Sequence, residues 1–194
     1  MKCLIIYHQT RYKEELLNLF SEYSPELISH EYFDPGFAEN FDFIVLSGGP
    51  IHISAEEDIK KEKEFIRNTN KPILGICLGL QIFGAMFGSK LFELDRLRKG
   101  FFNFELHGEK GTCYFNHKWF VKDAPPEFEV LRRNEEIIEA LRHKTKPFLG
   151  VQCHPEISGE YGEKIKKIFI EEYVKPSLDS STTEGLSSLP KASD

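Results

Sequence analysis

The sequence predicts an α/β fold built on a mostly parallel sheet, and three observations support this prediction. Short apolar runs typical of buried strands, such as residues 2–7, 42–46 and 72–76, are separated by longer segments with apolar residues at helical spacing. Glycine-containing turns follow two of these runs, at 47–50 and 77–79. Alternation of strands and helices is typical of parallel sheets, in which ligands bind beyond the carboxyl ends of the strands.

The expected elements follow from periodicity and from turn residues. The predicted strands of the first half are 2–7, 27–33, 42–46 and 72–76. The predicted helices there are 12–23, 55–68 and 78–87. Beyond them, antiparallel strands that extend the sheet are expected at 90–94, 101–106, 113–121 and 128–133. A final hairpin of 137–142 with 148–153 and a closing helix at 161–173 complete the prediction.

Length and composition favour a single soluble domain. We expect the fold to occupy residues 1–174 and the Ser/Thr-rich segment 175–194 to be a disordered tail. A formal net charge of −6 argues against nucleic acid as the main partner. No apolar run reaches membrane-spanning length, and the N-terminal run is too short for a signal sequence, so a cytoplasmic protein is predicted. Four cysteines are compatible with a reducing compartment.

Cys77 stands where a predicted strand passes into a predicted helix. A sulfur at such an elbow lies at the end of a sheet and near the N–H groups of a helix N-terminus, which favour a thiolate over a thiol. Gly75 and Gly79 flank it, as expected of a backbone that turns sharply and lets a ligand approach. A buried structural cysteine is the alternative, but these glycines favour a nucleophile.

A candidate base for this sulfur lies near the other end of the chain. Pro155 favours an extended conformation at His154, and residues two apart on an extended segment point the same way. The Glu156 carboxylate can then reach one imidazole nitrogen while the other faces outward, as a nucleophile–base–acid triad requires. A core histidine or a metal ligand are the alternatives. A metal site is disfavoured because the cysteines form no C-x-x-C pair and no second ligand cluster has a usual spacing.

The segment Ser47-Gly-Gly-Pro50 follows a predicted buried strand. A glycine pair at the carboxyl end of a strand lets backbone N–H groups face a ligand, which is one way to build an oxyanion hole. An ordinary turn is the alternative for this segment taken alone.

Three segments in series resemble the motifs of the class I (triad) glutamine amidotransferases. They are Ser47-Gly-Gly-Pro50, Gly75-Ile-Cys-Leu-Gly-Leu-Gln81 and Gly150-Val-Gln-Cys-His-Pro-Glu156. The resemblance covers residues 1 to about 174 and implies a three-layer, flavodoxin-like fold with an antiparallel extension. It also implies hydrolysis of L-glutamine to glutamate and ammonia through a glutamyl thioester, with no metal or organic cofactor.

The resemblance implies a role for each matching residue. Cys77, His154 and Glu156 correspond to the catalytic triad, and the backbone N–H groups of Gly49 and Leu78 to the oxyanion hole. The residues that the resemblance places against the substrate are Gly48, Gln81, Asn116 and His117.

Within the family, the segments from Asn116 to Gln152 resemble most the separate glutaminase subunit of GMP synthase. The residues after His117 depart from the more acidic sequence usual there. No P-loop follows the domain, so the resemblance implies a separate ATP-dependent synthetase subunit that receives the ammonia. Two other functions stay open: a stand-alone γ-glutamyl hydrolase acting on a glutamyl peptide or conjugate, and a non-catalytic binding or regulatory module on the same fold.

Overall fold

The computed structural model describes residues 1–51, 53 and 59–179, and the larger sheet in this part of the chain has seven strands. These are β1 (Cys3–Tyr7), β2 (Glu26–Ser29), β3 (Phe43–Leu46), β4 (Ile73–Ile76), β7 (Phe128–Asn134), β8 (Ile137–His143) and β9 (Phe148–Val151). Their order is β2-β1-β3-β4-β9-β8-β7. The five strands from β2 to β9 run parallel, whereas β8 and β7 are antiparallel. The predicted mostly parallel sheet with an antiparallel extension is confirmed.

Five helices belong to the described residues: α1 (Lys13–Leu19), α2 (Pro35–Ala38), α3 (Lys60–Asn68), α4 (Leu78–Met86) and α5 (Gly159–Phe169). The helix predicted from residue 55 is observed from Lys60, and positions 55–58 lie outside the described residues. After α5 the chain continues through a π-helical turn, Ile170–Val174, into helical residues 175–179. The first five residues of the predicted tail are therefore helical, and 180–194 lie outside the described residues. None of the described helices is long and apolar enough to cross a membrane.

The core consists of two apolar clusters, one on each face of the large sheet. Because side chains alternate along a strand, Ile5 and Val45 enter the cluster that includes α1 and α5. Leu4 and Ile44, one residue earlier on the same strands, enter the cluster that includes α3 and α4. Strands buried on both faces explain the continuous apolar runs of the sequence. The result is a three-layer arrangement whose carboxyl-end edge carries the candidate site.

A second sheet contains only β5 (Leu91–Leu106) and β6 (Glu109–Val121), which form an antiparallel ribbon. The prediction that the runs within 90–121 extend the central sheet is therefore wrong, and only β7 and β8 extend it. The turn at His107 and Gly108, both in the left-handed region, pairs β5 with β6 along most of their length. Hairpin pairing and sheet extension give the same local sequence pattern, so the sequence could not distinguish them.

The three phenylalanines of β5 that lie close together in sequence differ in burial. Phe104 is buried, but Phe101 is 61% exposed and Phe102 38% exposed. The ribbon has one face on the domain and the other in solvent, so a run of aromatic residues along it cannot be buried throughout.

Candidate active site

Cys77 occupies the junction between β4 and α4, as predicted. Its backbone has φ 51° and ψ −95°, a conformation that non-glycine residues rarely adopt. The Cys77 N–H donates to the carbonyl of Val151 at 2.8 Å, which ties the elbow to the neighbouring strand β9. The residue is 5% exposed. The backbone strain is thus located at the residue whose sulfur is the candidate nucleophile.

Gly75 and Gly79 serve close packing at this elbow, and the turn itself is made by Cys77. A β-carbon on Gly75 would lie 2.7 Å from the carbonyl carbon of Gly79, and one on Gly79 would lie 2.7 Å from the carbonyl oxygen of Leu46. Neither glycine has a positive φ. The expectation that these glycines make the turn is corrected. They let α4 lie directly on β4 and β3, which fixes the position of the helix N-terminus.

His154 and Glu156 are hydrogen-bonded, with 2.7 Å between His154 Nδ1 and Glu156 Oε1. Both side chains are buried. Glu156 does not lie on an extended segment as expected, because Pro155–Ile157 form a turn of 3₁₀ helix. Proline fixes φ at a value that suits the first turn of a helix, and this turn brings the carboxylate back to the imidazole. The predicted contact between His154 and Glu156 is present, but a different backbone conformation produces it.

The His154 ring lies against the elbow of Cys77. A β-carbon on Gly48 would be 2.8 Å from His154 Cε1 and 3.5 Å from Cys77 Cβ, so both residues line the same glycine. The ring of Tyr12 packs edge-on against the imidazole at 5.0 Å. The His154 N–H donates to the carbonyl of Tyr114 at 2.7 Å, which attaches this segment to β6. The imidazole is thereby held on several sides beside the sulfur.

The charges around His154 favour its protonated form. Burial acts against the imidazolium, but the interactions with Glu156 and Cys77 outweigh it and raise the pKa of His154 well above its ordinary value. The second ring nitrogen, Nε2, is buried and makes no hydrogen bond within the described residues. It is therefore available for proton exchange at the sulfur.

Two cavities meet at Cys77. One, of about 210 Å³, lies between the loop at Gly49 and the ribbon, and Gln81, Asn116 and His117 line it. The other, of about 280 Å³, lies on the side of His154 and is lined by residues 9–12. Gly49 and Cys77 border both cavities. A substrate in the first cavity can therefore lose a group into the second.

The two predicted oxyanion donors belong to segments close to Cys77: Leu78 is the next residue, and Gly49 borders the same two cavities. Leu78 is the first residue of α4, where a backbone N–H has no acceptor within the helix. Gly49 belongs to the loop after β3 and packs against the backbone of His8. Both backbones lie at the carboxyl-end edge of the sheet, where the sequence placed them.

The predicted substrate residues are all brought to this region, with different partners. Gln81 Nε2 donates to the carbonyl of Trp119 at 2.7 Å, and Asn116 Nδ2 donates to the Tyr12 hydroxyl at 3.1 Å. His117 is 4% exposed, and its Nδ1 lies 3.0 Å from the same Trp119 carbonyl. Burial lowers the pKa of His117 to about 4, so this ring is neutral near pH 7.

Comparison with known proteins decides the family. The family model described as glutamine amidotransferase class-I matches residues 4–172. The chain belongs to this family.

Two curated relatives of this amidotransferase are described as subunits of a glutamine-hydrolysing GMP synthase. The one from Methanocaldococcus jannaschii is 37% identical over 140 residues, which cover 65% of the chain and 71% of the relative. The one from Pyrococcus abyssi is 36% identical over 137 residues, covering 65% and 72%. The predicted resemblance to the glutaminase subunits of GMP synthase is confirmed.

Solved structures confirm the fold of this amidotransferase. A Thermoplasma acidophilum protein described as a candidate GMP synthase subunit aligns with a TM-score of 0.81 at 22% identity, over 95% of this chain and 98% of its own. A glutamine amidotransferase of Thermotoga maritima aligns with a TM-score of 0.67 at 20% identity, over 94% and 85%. The flavodoxin-like α/β fold expected from the sequence is the fold observed.

Sequence reasoning missed two side chains of the amidotransferase site. Gln152 is fully buried, and its Nε2 lies 3.5 Å from Cys77 Sγ. Tyr12 contacts both the His154 ring and Asn116. Gln152 could have been found, since it stands two residues before His154 and so shares its direction on an extended segment. Nothing in the local sequence marks Tyr12.

Proposed function

We propose that this amidotransferase domain hydrolyses L-glutamine to glutamate and ammonia and supplies the ammonia to a separate synthetase subunit. The observation that carries the proposal is the buried His154–Glu156 pair, 2.7 Å apart, beside a cysteine held at a strained strand–helix elbow. A carboxylate that orients an imidazole next to a thiolate is the arrangement that nucleophilic acyl transfer requires.

In the first half-reaction the Cys77 sulfur attacks the carbonyl carbon of the glutamine side-chain amide. The carbonyl π electrons move to oxygen, and the N–H groups of Gly49 and Leu78 receive the resulting oxyanion. Removal of one such donor costs about 3 kcal/mol of transition-state stabilisation in other enzymes. The C–N bond then breaks as the His154 imidazolium gives its proton to the departing ammonia. The product is a glutamyl thioester on Cys77.

In the second half-reaction a water molecule replaces ammonia. Neutral His154 takes a proton from the water as its oxygen attacks the thioester carbonyl, and the carbon–sulfur bond breaks to release glutamate and the thiolate. Glu156 keeps the imidazole in one tautomer and stabilises its charged form in both halves. The raised pKa of His154 supports this role, because the group is charged when ammonia must leave.

The cavity of about 210 Å³ is suited to the amino-acid end of glutamine. Gln81, Asn116 and His117 supply polar groups there, and Gly48 packs beside them against His154 and Cys77. With its Nδ1 directed at the Trp119 carbonyl, neutral His117 presents no positive charge to the substrate ammonium. We propose that these residues bind glutamine.

The acceptor enzyme is proposed from the descriptions of the relatives. Those relatives are single subunits of GMP synthase, a designation that implies a further subunit. We therefore propose that the partner is an ATP-dependent GMP synthetase chain, and that both chains act in purine biosynthesis in the cytoplasm. Ammonia would leave through the cavity on the His154 side, the direction in which the leaving group departs.

One observation favours a second candidate function, the hydrolysis of a γ-glutamyl conjugate. The cavity on the His154 side has about 280 Å³ and is lined by Arg11 and Thr10, which is more space than ammonia needs. A γ-glutamyl amide with a larger amine could place that amine there. This function would need no synthetase.

Ammonia release from glutamine tests the proposal, with the purified chain and its Cys77→Ala variant, each with and without a candidate GMP synthetase subunit. The proposal predicts Cys77-dependent release that rises when the synthetase is added. Cleavage of a γ-glutamyl amino acid but not of glutamine would replace it with the second candidate. If neither substrate is cleaved under any of these conditions, the remaining function is that of a non-catalytic binding or regulatory module.

A further inference from the structure

The side chain of Gln152 lies between the candidate nucleophile and the first turns of α4. It is fully buried, and its Nε2 is 3.5 Å from Cys77 Sγ, within hydrogen-bonding range of sulfur. Its Oε1 is 3.4 Å from Gln81 Nε2. The same amide thus contacts the sulfur with one atom and a predicted substrate residue with the other.

The orientation of both amides follows from one backbone carbonyl. The Trp119 oxygen can only accept, so the Gln81 atom 2.7 Å away must be its NH₂ group. That NH₂ group also contacts Gln152, and a donor requires an acceptor, so Gln152 presents its oxygen to Gln81. The NH₂ group of Gln152 therefore faces the sulfur. The opposite orientation would place a carbonyl oxygen against the thiolate.

We propose that Gln152 is a further catalytic residue, which donates an N–H hydrogen bond to the Cys77 thiolate and is held in that orientation by Gln81. The inference rests on the proposed function for the role of Cys77 as the nucleophile. The buried N–H stabilises the thiolate before attack and gives up this contact as charge moves to the substrate oxygen. Hydrogen bonds to a charged acceptor are stronger than neutral ones, and burial strengthens them further.

His154 lies beside the same sulfur as Gln152. Cys77 and Glu156 are the two residues that raise the pKa of His154. His154 and Gln152 therefore act on the same sulfur from two directions, one as a cation and one as a neutral donor. The Gln152 amide does not titrate, so before attack it can donate to the thiolate whatever the charge of His154.

This arrangement also determines which atom of Gln81 can bind a substrate. Its NH₂ group is committed to Trp119 and Gln152, and no hydrogen bond within the described residues reaches its Oε1. Gln81 lines the cavity of about 210 Å³, so this oxygen is the acceptor it can offer to a substrate ammonium group. Binding at Gln81 and the state of the sulfur are thereby linked through Gln152.

Alkylation of Cys77 by iodoacetamide tests the proposal without any glutamine. The variant Gln152→Met keeps the length of the side chain and removes the donor, whereas Gln152→Glu places a carboxylate at the sulfur. At about pH 7 we expect Gln152→Met to alkylate about 10-fold more slowly than wild type, and Gln152→Glu more slowly still. At about pH 10, where thiols are ionised, the rates of wild type and Gln152→Met should converge.

Cys153→Ala is the matched control. Cys153 is the next residue, is equally buried and packs against Cys113, so its removal disturbs the same segment. We expect its alkylation rate at Cys77 to equal that of wild type at both pH values. Thermal unfolding of each variant confirms that the fold is retained.

Two outcomes would overturn the proposal. The first is a Gln152→Met variant that alkylates like wild type at both pH values. The second is a slow rate that persists at high pH, which would indicate blocked access to the sulfur. If alkylation changes as expected but no variant or wild type releases ammonia, the contact stands and the proposed function fails.

The alkylation rate of a Gln81 variant tests separately whether Gln81 orients Gln152. Gln81→Leu should also slow alkylation near pH 7, because Gln152 then loses the partner that fixes its amide. A residue that contacts only the substrate would leave this substrate-free reaction unchanged, and that result would remove Gln81 from the proposal.

Discussion

Gly49 lies against the backbone carbonyl of His8 so closely that a β-carbon at position 49 would overlap that oxygen. His8 is itself fixed, because its N–H donates to Ser47 Oγ at 2.8 Å and its Nε2 lies 2.9 Å from Glu62 Oε2. The loop after β3 is therefore seated on the end of β1 and linked to α3. This seat determines where the Gly49 N–H, the proposed oxyanion donor, is directed.

We predict that Gly49→Ala lowers the kcat for glutamine hydrolysis about 100-fold with a smaller effect on KM. The added methyl group must push the loop off His8 and misdirect the N–H, which is an interaction made mainly in the transition state. Steady-state kinetics measures the effect. Gly36→Ala is the control, since a β-carbon there meets nothing closer than 3.7 Å, and it should keep wild-type kinetics. Equal kinetics of the two variants would contradict the role of Gly49.

We predict that Glu62→Ala lowers the free energy of unfolding by about 3 kcal/mol. Glu62 and His8 are both buried, so removal of the carboxylate leaves a buried imidazole nitrogen without its partner. Urea unfolding measures the change. Glu64→Ala, at an exposed position of the same helix, should change stability by less than about 0.5 kcal/mol. The double variant His8→Phe with Glu62→Leu should lose less stability than the sum of the losses of its two single variants, because neither buried group is then left without its partner. A loss equal to that sum would argue against the pair.

We predict that glycine at position 77 gives a more stable protein than alanine. The observed φ of 51° and ψ of −95° strain any residue with a β-carbon, so Cys77→Gly should exceed Cys77→Ala by about 1–2 kcal/mol in free energy of unfolding. Ala85 lies inside α4, the helix that follows Cys77. There alanine should be more stable than glycine, as is usual in a helix, so Ala85→Gly should lose about 1 kcal/mol. Both comparisons use urea unfolding. If alanine were the better residue at 77, the elbow would not be strained.

We predict a loss of stability on acidification that depends on His117. Burial lowers the pKa of His117 to about 4, whereas the unfolded chain binds a proton near pH 6.5. Above pH 6.5 the ring is neutral in both states. Between pH 6.5 and 4 only the unfolded state is protonated, so the folded state loses up to about 3 kcal/mol, and the loss is complete below pH 4.

Unfolding by urea at pH 7 and pH 4.5 measures this effect. The decrease in stability should be smaller in His117→Gln than in wild type by most of that amount, because glutamine does not titrate. An identical decrease in both proteins would mean that His117 takes up a proton in the folded state as readily as in the unfolded chain.

The fold was predictable where the sequence pattern is local. Apolar runs buried on both faces gave β1, β3 and β4, and the change of period after Cys77 gave α4. The ribbon of β5 and β6 was misplaced because a hairpin and an extension of the sheet have the same local signals. The turn at Pro155–Ile157 was missed because Pro155 restricts His154 and also suits the start of a helical turn.

The candidate site was predictable to the extent that its residues lie in short motifs. Cys77, His154 and Glu156 each stand in such a segment, and the fold brings them together. Contacts between distant residues gave no signal: Gln152 is 75 positions from Cys77, and Glu62 is 54 positions from His8. Glutamine and histidine in buried positions have many possible partners, and only the three-dimensional arrangement selects one.

The central claim is that Cys77 carries the glutamyl group during hydrolysis, and rapid acid quench of the protein with glutamine tests it most directly. Peptide mass analysis of the quenched protein should find a glutamyl adduct on the peptide containing Cys77. The adduct should disappear when hydroxylamine is added and should be absent from Cys77→Ala. Ammonia release by wild type with no adduct on Cys77 at any quench time, together with ammonia release by Cys77→Ala, would contradict the account.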